Sequence, residues 1–267
     1  MKSYLALFRI RFVTGMQYRA SALGGVAAQF TWGIMLILQF SAFYRSDPTA
    51  FPMPLSQVAS YIWIQQAFIA LFASWYVDYD LFATITSGSI AYELARPVSL
   101  YNRWFFHSSA NRISKAALRC LPILVVAFLL PEPFRMTIPD SFEQFTAFLV
   151  SAVLALAVVV AFMMLLYISA FYTLSPLGIR LVAGVGADFL AGAIIPLPFF
   201  PENIQRVVEM LPFAAMQNMP LRIYSGNIAG IDILYGLGLQ LFWLIILVML
   251  GKLAMKKALR RVVVQGG

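Results

Sequence analysis

The stretch LVAGVGADFLAGAIIPLPFFPENIQRVVEMLP, residues 181–212, opens as a membrane span and does not finish as one. Pro196, Pro198 and Pro201 interrupt its apolar run. Proline removes a backbone donor and its ring clashes with the preceding turn, so a helix entering at Leu181 stops or turns there. The segment from Pro201 to Leu211 has the pattern of a surface helix. Pro201 stands at its start, Ile204, Val207, Val208 and Leu211 share one face, and Glu202, Arg206 and Glu209 share the other. Glu202 and Arg206 also form a favourable i,i+4 pair. Pro212 and Pro220 come next, before polarity returns near Gly226. A helix that enters a bilayer, breaks near the far side and then lies along the interface has the shape of an outer gate. Its candidate residues are Gly192, Pro196, Pro198, Pro201 and Pro212.

Composition extends this reading outward. Of 267 residues, 61% are hydrophobic and 11% charged, whereas about a quarter of a soluble domain is charged. The chain reads as an all-α integral membrane protein. A span needs roughly 20 largely apolar residues, and six segments qualify or nearly so: 21–44, 58–77, 104–130, 145–172, 181–200 and 230–251. The third is the weakest. Its apolar part, Ala116 to Leu130, is short and carries Arg119 and Pro122, so the helix is expected to begin in the polar stretch before it.

The net charge of +8 does not point to nucleic acid, because the cations sort by loop. Lys2, Arg9, Arg11 and Arg19 precede the first span. Arg96, Arg103, Arg112, Lys115 and Arg119 lie between the second span and the apolar part of the third, Arg180 between the fourth and fifth. Lys252, Lys256, Lys257, Arg260 and Arg261 follow the sixth. These are fifteen of the 19 Lys and Arg; Arg45, Arg135, Arg206 and Arg222 fall on the other side. The positive-inside rule then places both termini in the cytoplasm, with contact to lipid headgroups as a further consequence. The N-terminal apolar run is too long for a signal-peptide core and lacks a small-residue cleavage site. Leu5, Phe8, Phe12 and Met16 share a face, so residues 1–20 are expected to form an interfacial helix.

The longest inner connection runs through residues 78–103. Ile85, Gly88, Ile90 and Leu94, closed by Arg96 and Pro97, describe a short helix with an apolar side, a docking element by its pattern or a helix resting on lipid. No phosphate-binding loop occurs; Gly251-Lys252 lacks the upstream glycine and the following hydroxyl. The single histidine, His107, has no partner at metal-ligand spacing and reads as a packed residue. Asp78 and Asp80 are a pair that could hold magnesium beside a phosphate, but no second acidic motif faces them. Asp188 interrupts an apolar span, which makes it a candidate for the translocation path. Gly184, Gly186, Ala187, Ala191 and Gly192 surround it and allow close helix approach. Trp63, Trp75, Trp104 and Trp243 fall near span ends and read as an aromatic belt. Cys120 stands alone, which excludes an internal disulfide.

Three stretches together carry a resemblance. Leu190 to Pro201, continuing through Leu211-Pro212-Phe213 to Pro220 and Ile223 to Gly226, resembles the fifth-span region of ABC-2 type ABC transporter permeases. Gly88-Ser-Ile90 through Leu94-Ala-Arg-Pro-Val98 is similar to the family's first cytoplasmic loop, and Arg260 to Gly267 to the ending of its short bacterial members. The resemblance implies a single transmembrane domain over 1–267: six spans, an N-terminal interfacial helix, a re-entrant outer hairpin within 181–226 and a basic cytoplasmic tail over 252–267. It implies a multi-pass protein of the bacterial inner membrane, pairing with a second identical or homologous permease and with separate ATP-binding cassette subunits. Those subunits would hold ATP and magnesium; no cofactor and no metal is expected on this chain, which is then not itself an enzyme. Gly88, Ile90, Leu94, Arg96 and Pro97 become the coupling helix. The cargo, unidentified, would be exported, as a small hydrophobic or amphiphilic molecule, a lipid or a peptide. Two other readings remain open at this point: an intramembrane metal-dependent transferase using Asp78 and Asp80 with Glu93, and a proton-coupled secondary transporter using Asp188.

Overall fold

The computed structural model describes residues 2–47, 51–173 and 176–260. Arg261–Gly267, the end of the basic tail and most of the third stretch of resemblance, lies outside them, as does the side chain of Arg180. Every described element is helical: α1 Lys2–Gly15, α2 Arg19–Ser46, α3 Leu55–Phe72, α4 Tyr79–Thr86, α5 Ile90–Leu94, α6 Leu100–Leu129, α7 Phe142–Ser169, α8 Pro176–Leu190, α9 Glu202–Glu209, α10 Asn218–Tyr224 and α11 Ile231–Leu259. A 3₁₀ turn, Leu197–Phe199, separates α8 from α9.

Four of these, α2, α3, α7 and α11, are long and apolar enough to cross a membrane. The most apolar, α7, is central, with over half of its apolar window inside the bundle against under a fifth of that of α11. α6 begins at Leu100, well ahead of its apolar part, and carries Pro122 within it. Side-chain caps fix several starts. Ser99 Oγ accepts from Asn102 N–H, Asp78 from Asp80 N–H and Ser141 from Gln144 N–H; each satisfies a donor that the first helical turn leaves unpaired.

Two apolar clusters form the core. One joins the C-terminal half of α7 to α4, α5, the start of α6 and the end of α11. The other joins α3 to α2, the end of α6, the start of α7 and α10. The first lies at the end of the bundle that carries α1, α4, α5 and the lysines of α11, the basic end.

Several expectations change. α1 runs alongside the first half of α6, where Tyr4 stacks on Phe106 and its hydroxyl accepts from Ser99 N–H. Its imperfect amphipathicity has this cause, since one side faces a helix while Leu5, Ile10 and Val13 are exposed. Trp63 and Trp104 are not belt residues. Trp63 is buried beside Gly33 and donates to the Phe134 carbonyl at 2.6 Å, and Trp104 is buried against Phe171. Each pairs with core groups that lie far from it in sequence. The fifth apolar segment also ends early. α8 stops at Leu190, and Gly192, at φ +76°, turns the chain before the first proline is reached.

Beyond that turn the path can be traced by its contacts. Phe199 packs on Phe40 and Phe51 at the far end of α2. Trp243, about 18 Å along α11 from its start, then donates to the Met210 carbonyl, and Phe213 packs on Phe162. The chain climbs back through α10, whose Ile223 and Tyr224 carbonyls accept from Gln144 at the start of α7.

Candidate functional site

The C-terminus of α3 leaves backbone carbonyls without partners, as every helix end does. Arg112 of α6, 1% exposed, supplies them. Its Nη1 donates to the carbonyls of Ala70, Leu71 and Ala73 at 3.2, 3.2 and 2.9 Å, and its Nη2 to Tyr76 at 2.8 Å. A buried guanidinium needs full hydrogen bonding to be tolerated. Here the negative end of a helix, rather than a carboxylate, provides it. The Tyr76 ring also lies 5.6 Å from the guanidinium carbon. Arg112 reads as one cation among many in the sequence; its partners are backbone carbonyls and leave no mark there.

The connector after α3, Ala73 to Asp78, is fastened to three helices. Ser74 donates to Asp188 of α8 twice, through its N–H at 3.0 Å and its hydroxyl at 2.7 Å, and the hydroxyl also reaches the Gly184 carbonyl at 2.8 Å. Asp188 is thus an acceptor for a neighbouring backbone. Asp78 N–H donates to the Tyr167 hydroxyl of α7 at 2.9 Å. The Asp78 carboxylate accepts from His107 Nε2 at 3.0 Å and Asn111 Nδ2 at 2.9 Å, both on α6. Burial pushes the Asp78 carboxyl up, but the hydrogen bond and charge of His107, then Asn111 and the Asp80 N–H, outweigh it and hold it below the ordinary aspartate value. The stabilisation is full above the ordinary aspartate pKa and is lost only as pH falls through the lower folded value. His107, read as packed, is packed with a partner. Asp80 is exposed in the first turn of α4, whereas Asp78 is buried.

From this connector the chain enters α4 and α5. Gly88, at φ +74°, makes the turn between them. Of the residues read as a docking face, Ile90 is buried in the first core cluster, whereas Leu94, Arg96 and Pro97 are exposed. Tyr92, which carries no signal in the periodicity of this segment, is 79% exposed and belongs to the outward surface. Glu93 is held by Arg103 at 2.6 Å, which ties α5 to the start of α6.

On the other side of Asp188 lies a cleft of about 660 Å³ between α2, α3 and α8. Trp32, Ile69, Val185 and Ile194 give it apolar walls, and Gln29, Gln65, Gln66, Asp188, Arg119 and Gln217 place polar groups among them. Gln29 Oε1 and Gln217 Nε2 are buried there with no hydrogen-bond partner among the described residues. Gln65 donates to the Ala193 carbonyl and the Tyr61 hydroxyl to that of Gly192. The glycine turn is therefore pinned to the middle of α3. Pro196 and Pro198 are buried behind it, Pro201 is exposed at the start of α9, and Pro212 is half-buried. On α9 only Val208 of the apolar face is buried, against Leu197 and Ala214, while Ile204 and Val207 are exposed.

An exposed surface on α5 and a polar-lined apolar cleft are thus joined by one hydrogen-bonded connector. The model of a family described as ABC-2 family transporter protein matches residues 30–266. None of the curated proteins and none of the solved structures matches the chain.

Proposed function

The chain belongs to the ABC-2 transporter family, and on that premise we propose that it is the permease subunit of an ATP-driven exporter. The family is one of membrane transport subunits that partner ATP-binding cassette subunits. In this reading six segments cross the bilayer. α6 is the third. α8 is about 22 Å long, short of a core of about 30 Å, so the fifth crossing is completed by Ala191 to Phe200. The outer side then carries a re-entrant excursion from α9 through α10. Both termini face the cytoplasm, and the basic end lies there.

The single observation that carries the mechanism is the pair of hydrogen bonds from Ser74 to Asp188. One end of the connector leads into α4 and α5, the docking surface for the ATP-binding subunits. Its other attachment is α8, about one helical turn before the Gly192 hinge. Closure of the ATP-binding subunits would displace α5, and the connector would transmit this to α8 and the outer gate; differential contacts in the two states supply the bias. A second copy facing the α2, α3 and α8 cleft would close it into a pathway and give Gln29 and Gln217 their missing partners. The cargo is a small hydrophobic or amphiphilic molecule, a lipid or a peptide.

The transferase reading loses its main support, because the Asp78 carboxylate is engaged by His107, Asn111 and the Asp80 N–H. The test is co-purification from native membranes with wild-type chain and with Tyr92→Asp/Leu94→Asp. The wild type is expected to bring an ATP-binding subunit with it, and the double variant to insert normally but lose that subunit and ATP-dependent transport. Normal transport by the double variant would remove α5 from the docking surface.

A further inference from the structure

Beside the connector lies a second cavity, of about 410 Å³, enclosed by α1, the start of α2, the connector and α6. Three cations stand in its wall, Arg11, Lys115 and Arg119. None of them forms an ion pair among the described residues. Asp78 and Asp80 share the wall. The Asp78 carboxylate is engaged by the donors described above and Asp80 is exposed, so three cations face two carboxylates and the wall keeps a net positive charge. Lys115 Nζ lies 4.2 Å from the centre of the Tyr76 ring, which holds the ammonium at the cavity edge. Arg119 Nε is buried and has no hydrogen-bond partner among the described residues. An unpaired buried donor on a charged group is costly, and an anionic acceptor would relieve it.

Arg119 also lines the apolar cleft, so its side chain stands in the wall of both cavities. Gly25 of α2 packs directly on this guanidinium; a Cβ there would come within 2.5 Å of it and make the arginine side chain shift. Past Arg119 the walls are mostly apolar, formed by Trp32, Leu36, Ile69 and Val185, with Asp188 and four glutamines among them and no further cation among the lining residues. A cationic chamber and a mostly apolar trough that share the Arg119 side chain match the two halves of an anionic amphiphile.

We propose that this chain binds an anionic phospholipid, with its phosphate among Arg11, Lys115 and Arg119 and an acyl chain along the cleft between α2, α3 and α8. Arg119 supplies the forked donor suited to a phosphate, and Lys115 and Arg11 supply point charge and a second fork. The site does not depend on the transport reading: a permease lacking this lipid, or a lipid-binding protein lacking transport, would each be seen as such.

The experiment uses the full chain purified in a zwitterionic detergent. It is incubated with phosphatidylglycerol, with phosphatidylcholine of the same acyl chains, or with inorganic phosphate, and bound molecules are counted by native mass spectrometry. The expected result is retention of one phosphatidylglycerol per chain in preference to phosphatidylcholine, reduced at least tenfold in Lys115→Gln/Arg119→Gln and kept in Lys115→Arg. Inorganic phosphate at equal concentration should not displace the lipid; if it does, the acyl chain is not seated and the proposal fails. Equal retention of the two lipids overturns it, as does unchanged retention in a double variant that melts like the wild type. Ile194→Trp, at an exposed position of the trough, reads the chain half separately and without touching the cations. Lower retention supports the proposal and unchanged retention contradicts it.

Discussion

Arg112 converts the end of α3 into a joint. Its four hydrogen bonds go to carbonyls spread over Ala70 to Tyr76, so removing it strands several buried acceptors at once. Arg112→Ala should cost about 3–5 kcal/mol, the range for breaking a buried charge network. Arg112→Lys should recover only part, because an ammonium cannot reach with a planar fork; thermal unfolding in micelles measures both. Asp188 separates two mechanisms. If it only accepts from Ser74, Asp188→Asn keeps a carbonyl acceptor and most transport, while Asp188→Ala loses about 1–3 kcal/mol as buried donors go unpaired and transport fails with it. If it carried protons, Asn and Ala would be equally dead, and transport assays in vesicles at fixed ATP distinguish the outcomes. Asp188 is visible in the sequence as an ionisable group in an apolar run. Its partner is not, since Ser74 and Asp188 lie 114 positions apart and a serine in an apolar stretch carries no sign of what it will bind.

The elements show where local pattern suffices and where packing intervenes. α9 matches its sequence pattern closely: its start at Pro201, its faces and its Glu202–Arg206 pair, at 3.5 Å, are all local features. The end of α8 is different. The sequence pattern puts the stop at the prolines, yet the turn comes at Gly192, where the Tyr61 hydroxyl and Leu197 crowd the position that a Cβ would take at 3.1 and 3.2 Å. Gly192→Ala should therefore cost about 1–2 kcal/mol in backbone strain alone, and Pro196→Ala less. Unfolding midpoints of the two variants check the order; a more damaging Pro196→Ala would return the hinge to the prolines. Ile90 gives the complementary lesson, because helical periodicity places it on an apolar side without saying whether that side faces inward. It faces the core, and the outward surface is left to Tyr92 and Leu94.

At the scale of the whole molecule, composition alone marks a membrane protein and the family match agrees with it. The two core clusters divide the bundle into a basic end built on α4, α5 and α7 and an opposite end built on α3 and α10. The Ala73–Asp78 connector stands beside the first and reaches α8 through Asp188, and in the proposed coupling, motion passes along it. The direct measurement is the distance between spin labels at Phe142→Cys and Val207→Cys, both exposed, in a Cys120→Ser chain bound to its ATP-binding subunits, with and without ATP. ATP should shift this distance in the otherwise native chain, and Asp188→Ala should abolish the shift while the ATP-binding subunits stay bound. An equal shift in Asp188→Ala, or none in the native chain, would contradict that coupling.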